Sequence, residues 1–271
     1  MHSMLTADEQ FATSILSRIG LTVEKVPEST TRTPDLLAYD DTHRFLIEVK
    51  TRTDDATLSK ELRKKRTAYR TSSIGPTKGV AGIFQHAMTQ LEAKAQDEFQ
   101  LVWVRIHSCR GAEQTLTEQV RHTLYGITLV VGGSLGNRAL ECYFFHRSTF
   151  YRYPQLDGAI LTFQDRLVLC INTYSTRAEE LRKSRIGEAF TRNILDPHEL
   201  EREGKCLIAD CGIDRQDAAA VLTYVSTKYG ITNAVQFNFD EHAAFAAFDP
   251  HASENTDTNA DDHDLDPWLG W

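Results

Sequence analysis

The chain has 271 residues, 41% hydrophobic and 25% charged, a globular composition with room for one large or two modest domains. No segment approaches the roughly 18 to 20 uninterrupted apolar residues of a membrane span, Asp8, Glu9 and Arg18 interrupt any signal-like run, and five cysteines form no dense even framework, which together predict a soluble, reduced, cytoplasmic protein without a membrane partner. The net charge of −8 is uneven: residues 249–271 carry seven acids and no Lys or Arg, whereas residues 44–83 hold ten basic groups against four acids.

In chain order, Thr6 to Arg18 predicts a helix, with Thr6 as N-cap, Glu9 as its capping-box partner, and Phe11, Ala12, Ile15, Leu16 and Ile19 on one apolar face. Gly20 ends it. Leu21 to Val26 reads as a strand, and the polar stretch Pro27 to Thr33 as a loop. Leu36 to Tyr39 and Arg44 to Val49 are short apolar runs joined by Asp40-Asp41-Thr42-His43, the composition of a tight hairpin connection. If those four residues form the loop, Tyr39 faces Arg44 and Asp35 falls opposite Glu48. Alternation then places Asp35, Glu48 and Lys50 on one face. Opposed Cβ atoms lie roughly 4.5 to 5.5 Å apart, a separation at which two carboxylates can hold one divalent ion. The remaining side chains of both faces are largely apolar, so the strands are expected to be central. Two acids and a lysine at the end of a buried hairpin are costly without a function or close pairing.

Glu-x-Lys alone carries little information, since it recurs at Glu92-Ala93-Lys94 and Glu203-Gly204-Lys205. Only Glu48-Val49-Lys50 ends an apolar strand whose preceding partner begins with Pro34-Asp35. Thr51 to Lys78 is polar and basic, and reads as a phosphate-tracking arm in which Arg52, Lys60, Arg63, Lys64, Lys65, Arg66, Arg70 and Lys78 contact DNA without sequence preference. Val80 to Ala95 is an amphipathic helix and Leu101 to Ile106 a buried strand, an order that implies a parallel crossover.

The Pro-Asp and Glu-x-Lys elements on one hairpin resemble the PD-(D/E)xK phosphodiesterase superfamily, which includes many restriction endonucleases, Holliday-junction resolvases and recombination nucleases. The resemblance spans about residues 6–106. It implies an α/β, restriction endonuclease-like αβββαβ core with a mixed central sheet, and a divalent-metal-dependent DNA phosphodiester hydrolase using Mg2+ or Mn2+, most simply an endonuclease. On this reading Asp35 and Glu48 hold the metal with the Val49 carbonyl, and Lys50 serves the attacking water. Glu9 is the counterpart of a first-helix glutamate that reaches the metal in many members. Gln85 is the counterpart of a glutamine near the scissile phosphate.

Residues 1–108 are therefore expected to form the nuclease core and 109–248 an α/β extension for recognition, oligomerisation or partner binding. Helices are expected at Glu113–Leu124, Ala178–Phe190 and Gln216–Lys228, and strands at Ile127–Val131, Leu140–Phe145, Ala159–Phe163, Leu167–Ile171 and Ala234–Phe239. The Gly132–Asn137 cluster lacks the lysine and Ser/Thr of a phosphate-binding loop. Cys206, Cys211 and His198 fit no standard zinc spacing. Phe150-Tyr151-Arg152-Tyr153 is an aromatic cluster able to cover a core or to stack on bases. Residues 249–271 have disordered composition, yet end in Trp268-Leu269-Gly270-Trp271, an apolar tip suited to docking on a protein partner or back onto this chain. A homodimer is a further expectation, because cutting both strands commonly uses a symmetric pair of sites. Two alternatives share the fold: a catalytically silent DNA-binding or assembly subunit, and a nuclease subunit active only with a partner protein or signal.

Overall fold

A computed structural model describes residues 4–27, 33–53, 71–72, 77–92, 97–107, 113–136, 138–237 and 244–245. The expected arm at Lys60, Arg63, Lys64, Lys65, Arg66 and Arg70, and the tail with its Trp268–Trp271 tip, lie outside these residues. The first helix, α1 (Ala7–Arg18), starts with the expected reciprocal cap: the Thr6 hydroxyl accepts from the Glu9 amide, and the Glu9 carboxylate accepts from the Thr6 amide. Strands β1 (Thr22–Lys25), β2 (Leu36–Tyr39) and β3 (Arg44–Thr53) follow. Helix α2 (Lys78–Leu91) is capped by Thr77, and β5 (Phe99–His107) comes after it. A two-residue strand β4 (Thr71–Ser72) between β3 and α2 pairs antiparallel with β13 (Ala244–Phe245).

The hairpin register is the one read from the sequence: Leu36 pairs with Ile47 and Tyr39 with Arg44. Strand β3 then pairs in parallel with β5 from Phe45–Phe99 to Thr53–His107. Beyond it the same sheet continues through β8 (Gly158–Phe163), β9 (Arg166–Ile171) and β10 (Ile194–Leu195), giving a seven-stranded mixed sheet in the order β1-β2-β3-β5-β8-β9-β10. The boundary expected at residue 108 therefore does not fall between sheets. The later residues extend the first sheet and also build a second, β11-β7-β6-β12, from Thr128–Val131 (β6), Leu140–Tyr143 (β7), Cys206–Ile208 (β11) and Val235–Phe237 (β12).

Alternation along β2 and β3 sorts side chains into two cores. Leu36, Ala38, Phe45 and Ile47 join Ala12 and Leu16 of α1 on one face, with Leu181 and Ile186. Leu46 joins Val102, Val104 and the α2 residues Phe84, Ala87, Met88 and Leu91 on the other. Each buried Leu, Ile, Val, Phe or Met side chain among these contributes roughly 1.5 to 3 kcal/mol. Helix α7 (Ala218–Tyr229) packs the second sheet through Val221 and Val225. Entry into β5 is fixed by buried Asp157, which accepts from the Gln100 amide and the Ser175 hydroxyl and pairs with Arg177. Among the described residues no helix is long and apolar enough to cross a membrane.

The helix expected over Ala178–Phe190 is two. Ser184 leaves helical geometry at φ −72°, ψ 164°, and its hydroxyl caps a new helix by accepting from the Gly187 amide, so the chain divides into α5 (Ala178–Lys183) and α6 (Arg185–Ala189). Its apolar period persists through the break, which is why periodicity alone joins them. Between α3 (Glu113–Tyr125) and β6, Gly126 has φ +61°, and a Cβ there would stand 2.3 Å from the His146 carbonyl oxygen. Gly204 has a similar φ of +67° with open space around it. Gly126→Ala is therefore expected to cost roughly 2 to 4 kcal/mol in denaturant unfolding, and Gly204→Ala only about 1.

Candidate active site

Strand β3 runs past the end of β2, and the side chain of Asp35 fills the gap: its Oδ2 accepts from the Val49 amide at 2.9 Å. That bond holds Asp35 beside Glu48, as the register requires. Glu48 is fully buried, at 0% exposure, and Lys50, on the same face, pairs with its Oε1. Lys50 also donates to the Gln90 side-chain oxygen of α2 at 2.9 Å, and Gln90 is itself oriented by donating to the Thr33 carbonyl at 3.3 Å. The first turn of α1 closes the site from the far side. Together Thr6, Asp8, Glu9, Asp35, Glu48, Val49, Lys50, Thr51 and Gln90 line a cleft of about 450 Å³.

Glu9 is both cap and cleft residue. Besides its bond to Thr6, it accepts from Lys25 Nζ, which lies 3.8 Å from Asp35 Oδ1. Burial opposes its charge, but Lys25 and the Thr6 amide outweigh that and hold its carboxyl below the usual range. Neighbouring Asp8 accepts from Thr51 and pairs with Arg105 at 3.0 Å and His107 at 3.3 Å, tying α1 to the ends of β3 and β5. Lys25, Asp8 and Gln90 were not anticipated as site residues. Their sequence context is that of an edge strand, a first helical turn and a helix flank, none of which is distinctive.

Gln85 is exposed, on a different side of α2 from Gln90, and is not part of the cleft lining. The five-residue spacing rotates the helix by about 140°, so the glutamine that reaches Lys50 is Gln90. Lys78 is exposed at the start of α2, and Arg52 is half-buried two residues beyond Lys50.

The carboxylates are electrostatically unsettled. Burial pushes Glu48 up to about 7, Lys50 opposes this, and the nearby Asp35 charge adds to it. Burial likewise raises Asp35, with Glu9 contributing and the Val49 amide opposing. Among the described residues Glu48 Oε2 is buried without a hydrogen-bond partner. No group of three or more His, Cys, Asp or Glu side chains among them converges to hold a metal ion. Asp35 and Glu48 form a pair, and the third carboxylate, Glu9, is tied to Lys25. The pair nevertheless fits a hard divalent cation: it offers oxygen donors only, one of them orphaned, and it carries a repulsion that a cation would relieve.

Because Glu48 titrates near 7 in the fold and near 4.5 when unfolded, the unfolded chain holds fewer of its protons, so stability falls as pH rises between these values. In metal-free buffer at pH 8, Glu48→Gln is expected to be more stable than wild type by on the order of 1 to 3 kcal/mol. The difference should shrink towards pH 5, and Mg2+ should stabilise wild type alone; thermal melts across that range check this. Comparison with protein-family models, curated proteins and solved structures found no match to this chain.

Proposed function

We propose that the protein is a divalent-metal-dependent DNA phosphodiester hydrolase, an endonuclease of the PD-(D/E)xK type, with Mg2+ or Mn2+ as its ion. The observation that carries this reading is the orphaned, fully buried Glu48 oxygen beside Asp35 and Lys50. The order α1-β1-β2-β3-α2-β5, with β2 and β3 antiparallel and β3 and β5 parallel, supports a restriction endonuclease-like core.

Asp35, Glu48 and the Val49 carbonyl would hold the ion, with Glu9 joining them if Lys25 moves aside. When bound, such an ion makes a coordinated water more acidic and spreads charge from the phosphoryl oxygens. Lys50 would orient the attacking water and meet the charge that develops on the phosphorane-like transition state. Gln90 is a second acceptor for the ammonium, beside Glu48, and so fixes its direction in the cleft. Glu48 must be ionised to ligate, so metal affinity and activity should rise with pH through about 7. Arg52 and Lys78 are candidate contacts to the DNA backbone, continuing into the basic residues from Lys60 to Arg70.

Cleavage of supercoiled and linear DNA with Mg2+ or Mn2+ tests the reading. Wild type is expected to cut, and Glu48→Ala and Lys50→Ala to lose at least about a hundredfold. Folded wild type that binds DNA but never cuts it would favour a silent DNA-binding subunit. On the same substrates Gln90→Ala is expected to lower the rate about tenfold while Gln85→Ala leaves it unchanged, a contrast that separates the two glutamines.

A further inference from the structure

A second cavity, about 750 Å³, shares no lining residue with the Asp35–Glu48 cleft, and the hydrolysis proposed above does not use it. Its walls come from the segment Arg147–Tyr153, which includes the short helix α4 (Thr149–Arg152), and from the loop carrying Gly212, Asp214 and Arg215. Three arginines line it against a single carboxylate, Asp214. That carboxylate lies 3.4 Å from Arg147, and both side chains are well exposed.

Arg215 is the informative residue. It is only 4% exposed, and its four terminal N–H groups are all taken: they donate to the carbonyls of Ala209, Cys211 and Ile213 at 2.6 to 2.8 Å and to the Cys211 sulfur at 3.1 Å. These carbonyls fix the guanidinium in place without cancelling its charge. Among the described residues no carboxylate forms an ion pair with it, although the Tyr174 hydroxyl and the Cys211 sulfur favour its charge, and its buried Nε has no hydrogen-bond acceptor. A buried cation without a counter-ion is costly, and an anion in the cavity would relieve that cost.

The aromatic residues narrow the class of anion. The Arg215 guanidinium lies over the Tyr151 ring at 4.9 Å, and Tyr151 is held edge-on by Tyr174 at 5.4 Å while keeping 37% of its surface exposed. Arg152 lies over the Tyr153 ring at 5.4 Å. Arg147 and Arg152 are exposed and can present paired N–H donors to phosphate, and the exposed Tyr151 offers a stacking surface to a base. The volume is that of a small-ligand pocket, of the order of 300 to 1,000 Å³.

We propose that this cavity is a binding site for a small nucleotide, with its phosphates on Arg152 and Arg147 in the field of the fixed Arg215 charge and its base against Tyr151. The Ser148 hydroxyl, which accepts from the Tyr151 amide, retains a proton to donate to a phosphate oxygen. Hydrolysis of DNA at Glu48 is not needed for this site to bind.

Calorimetric titration of ATP into the wild-type full chain, in EDTA so that no metal-dependent chemistry occurs, tests the inference separately from nuclease activity. Saturable binding is expected, with Arg152→Ala and Tyr151→Ala each weakening it roughly tenfold or more. Both residues are exposed, and circular dichroism checks that the variants fold. Inorganic phosphate should bind more weakly than ATP, since it lacks the base. Absence of ATP binding at millimolar concentration, or affinity unchanged in both variants, would overturn the proposal. So would a short DNA duplex whose binding is lost in both variants while ATP does not bind, because the cavity would then belong to the DNA path.

Discussion

One hydrogen bond, from the Val49 amide to the Asp35 carboxylate, sets the geometry on which the site depends. Strand pairing between β2 and β3 ends at Leu36–Ile47, two residues before Val49, so the ladder supplies no β2 partner for the Val49 amide. A backbone donor in the middle of a sheet would otherwise be left without a partner, at a cost of about 1 to 3 kcal/mol. The Asp35 side chain supplies the acceptor and is thereby locked next to Glu48. Strand β5 supports the other edge of β3, while α1 and α2 cover its two faces. The positions of all the cleft side chains follow from that central strand.

The same arrangement concentrates negative charge in a partly buried cleft, where Glu48 is closed off from water altogether. Three carboxylates meet two ammonium groups, Lys25 and Lys50, and the distribution is uneven. Glu9 is well matched by Lys25 and the Thr6 amide, whereas Glu48 keeps an unsatisfied buried oxygen and a raised pKa. A core optimised for stability alone would place an apolar residue at Glu48, flanked as it is by Ile47 and by Val102 of β5. Strain of this kind persists when surrounding packing over-determines it, and it is the expected signature of a site organised for a ligand.

The sequence made the hairpin legible because strand periodicity is two: a single loop assignment fixes every opposing pair, including Asp35 with Glu48. The capping box at Thr6 and Glu9 was legible for a similarly local reason. Lys25 and Asp8 were not, because their roles arise from tertiary approach of α1 to β1 and β5. Gln90 was displaced to Gln85 in the reading because both glutamines lie on the predicted helix, and helical phase decides between them. The strands β10 and β11 are too short for a period to register, and the helix break at Ser184 hides because Ala178, Leu181, Ile186 and Ala189 still fall on one helical face across it. Arg215 carries no motif at all. Its isolation from carboxylates exists only after the loop has folded around it.

The central claim is that Asp35 and Glu48 hold a divalent cation, and the most direct measurement is anomalous diffraction from crystals grown with Mn2+ at neutral to alkaline pH. A single strong manganese peak in the cleft, within ligating distance of oxygens from both carboxylates, with Lys50 released from Glu48 towards the solvent side, is the predicted result. A cleft without a peak at millimolar Mn2+, with Lys50 still paired to Glu48, would contradict the account.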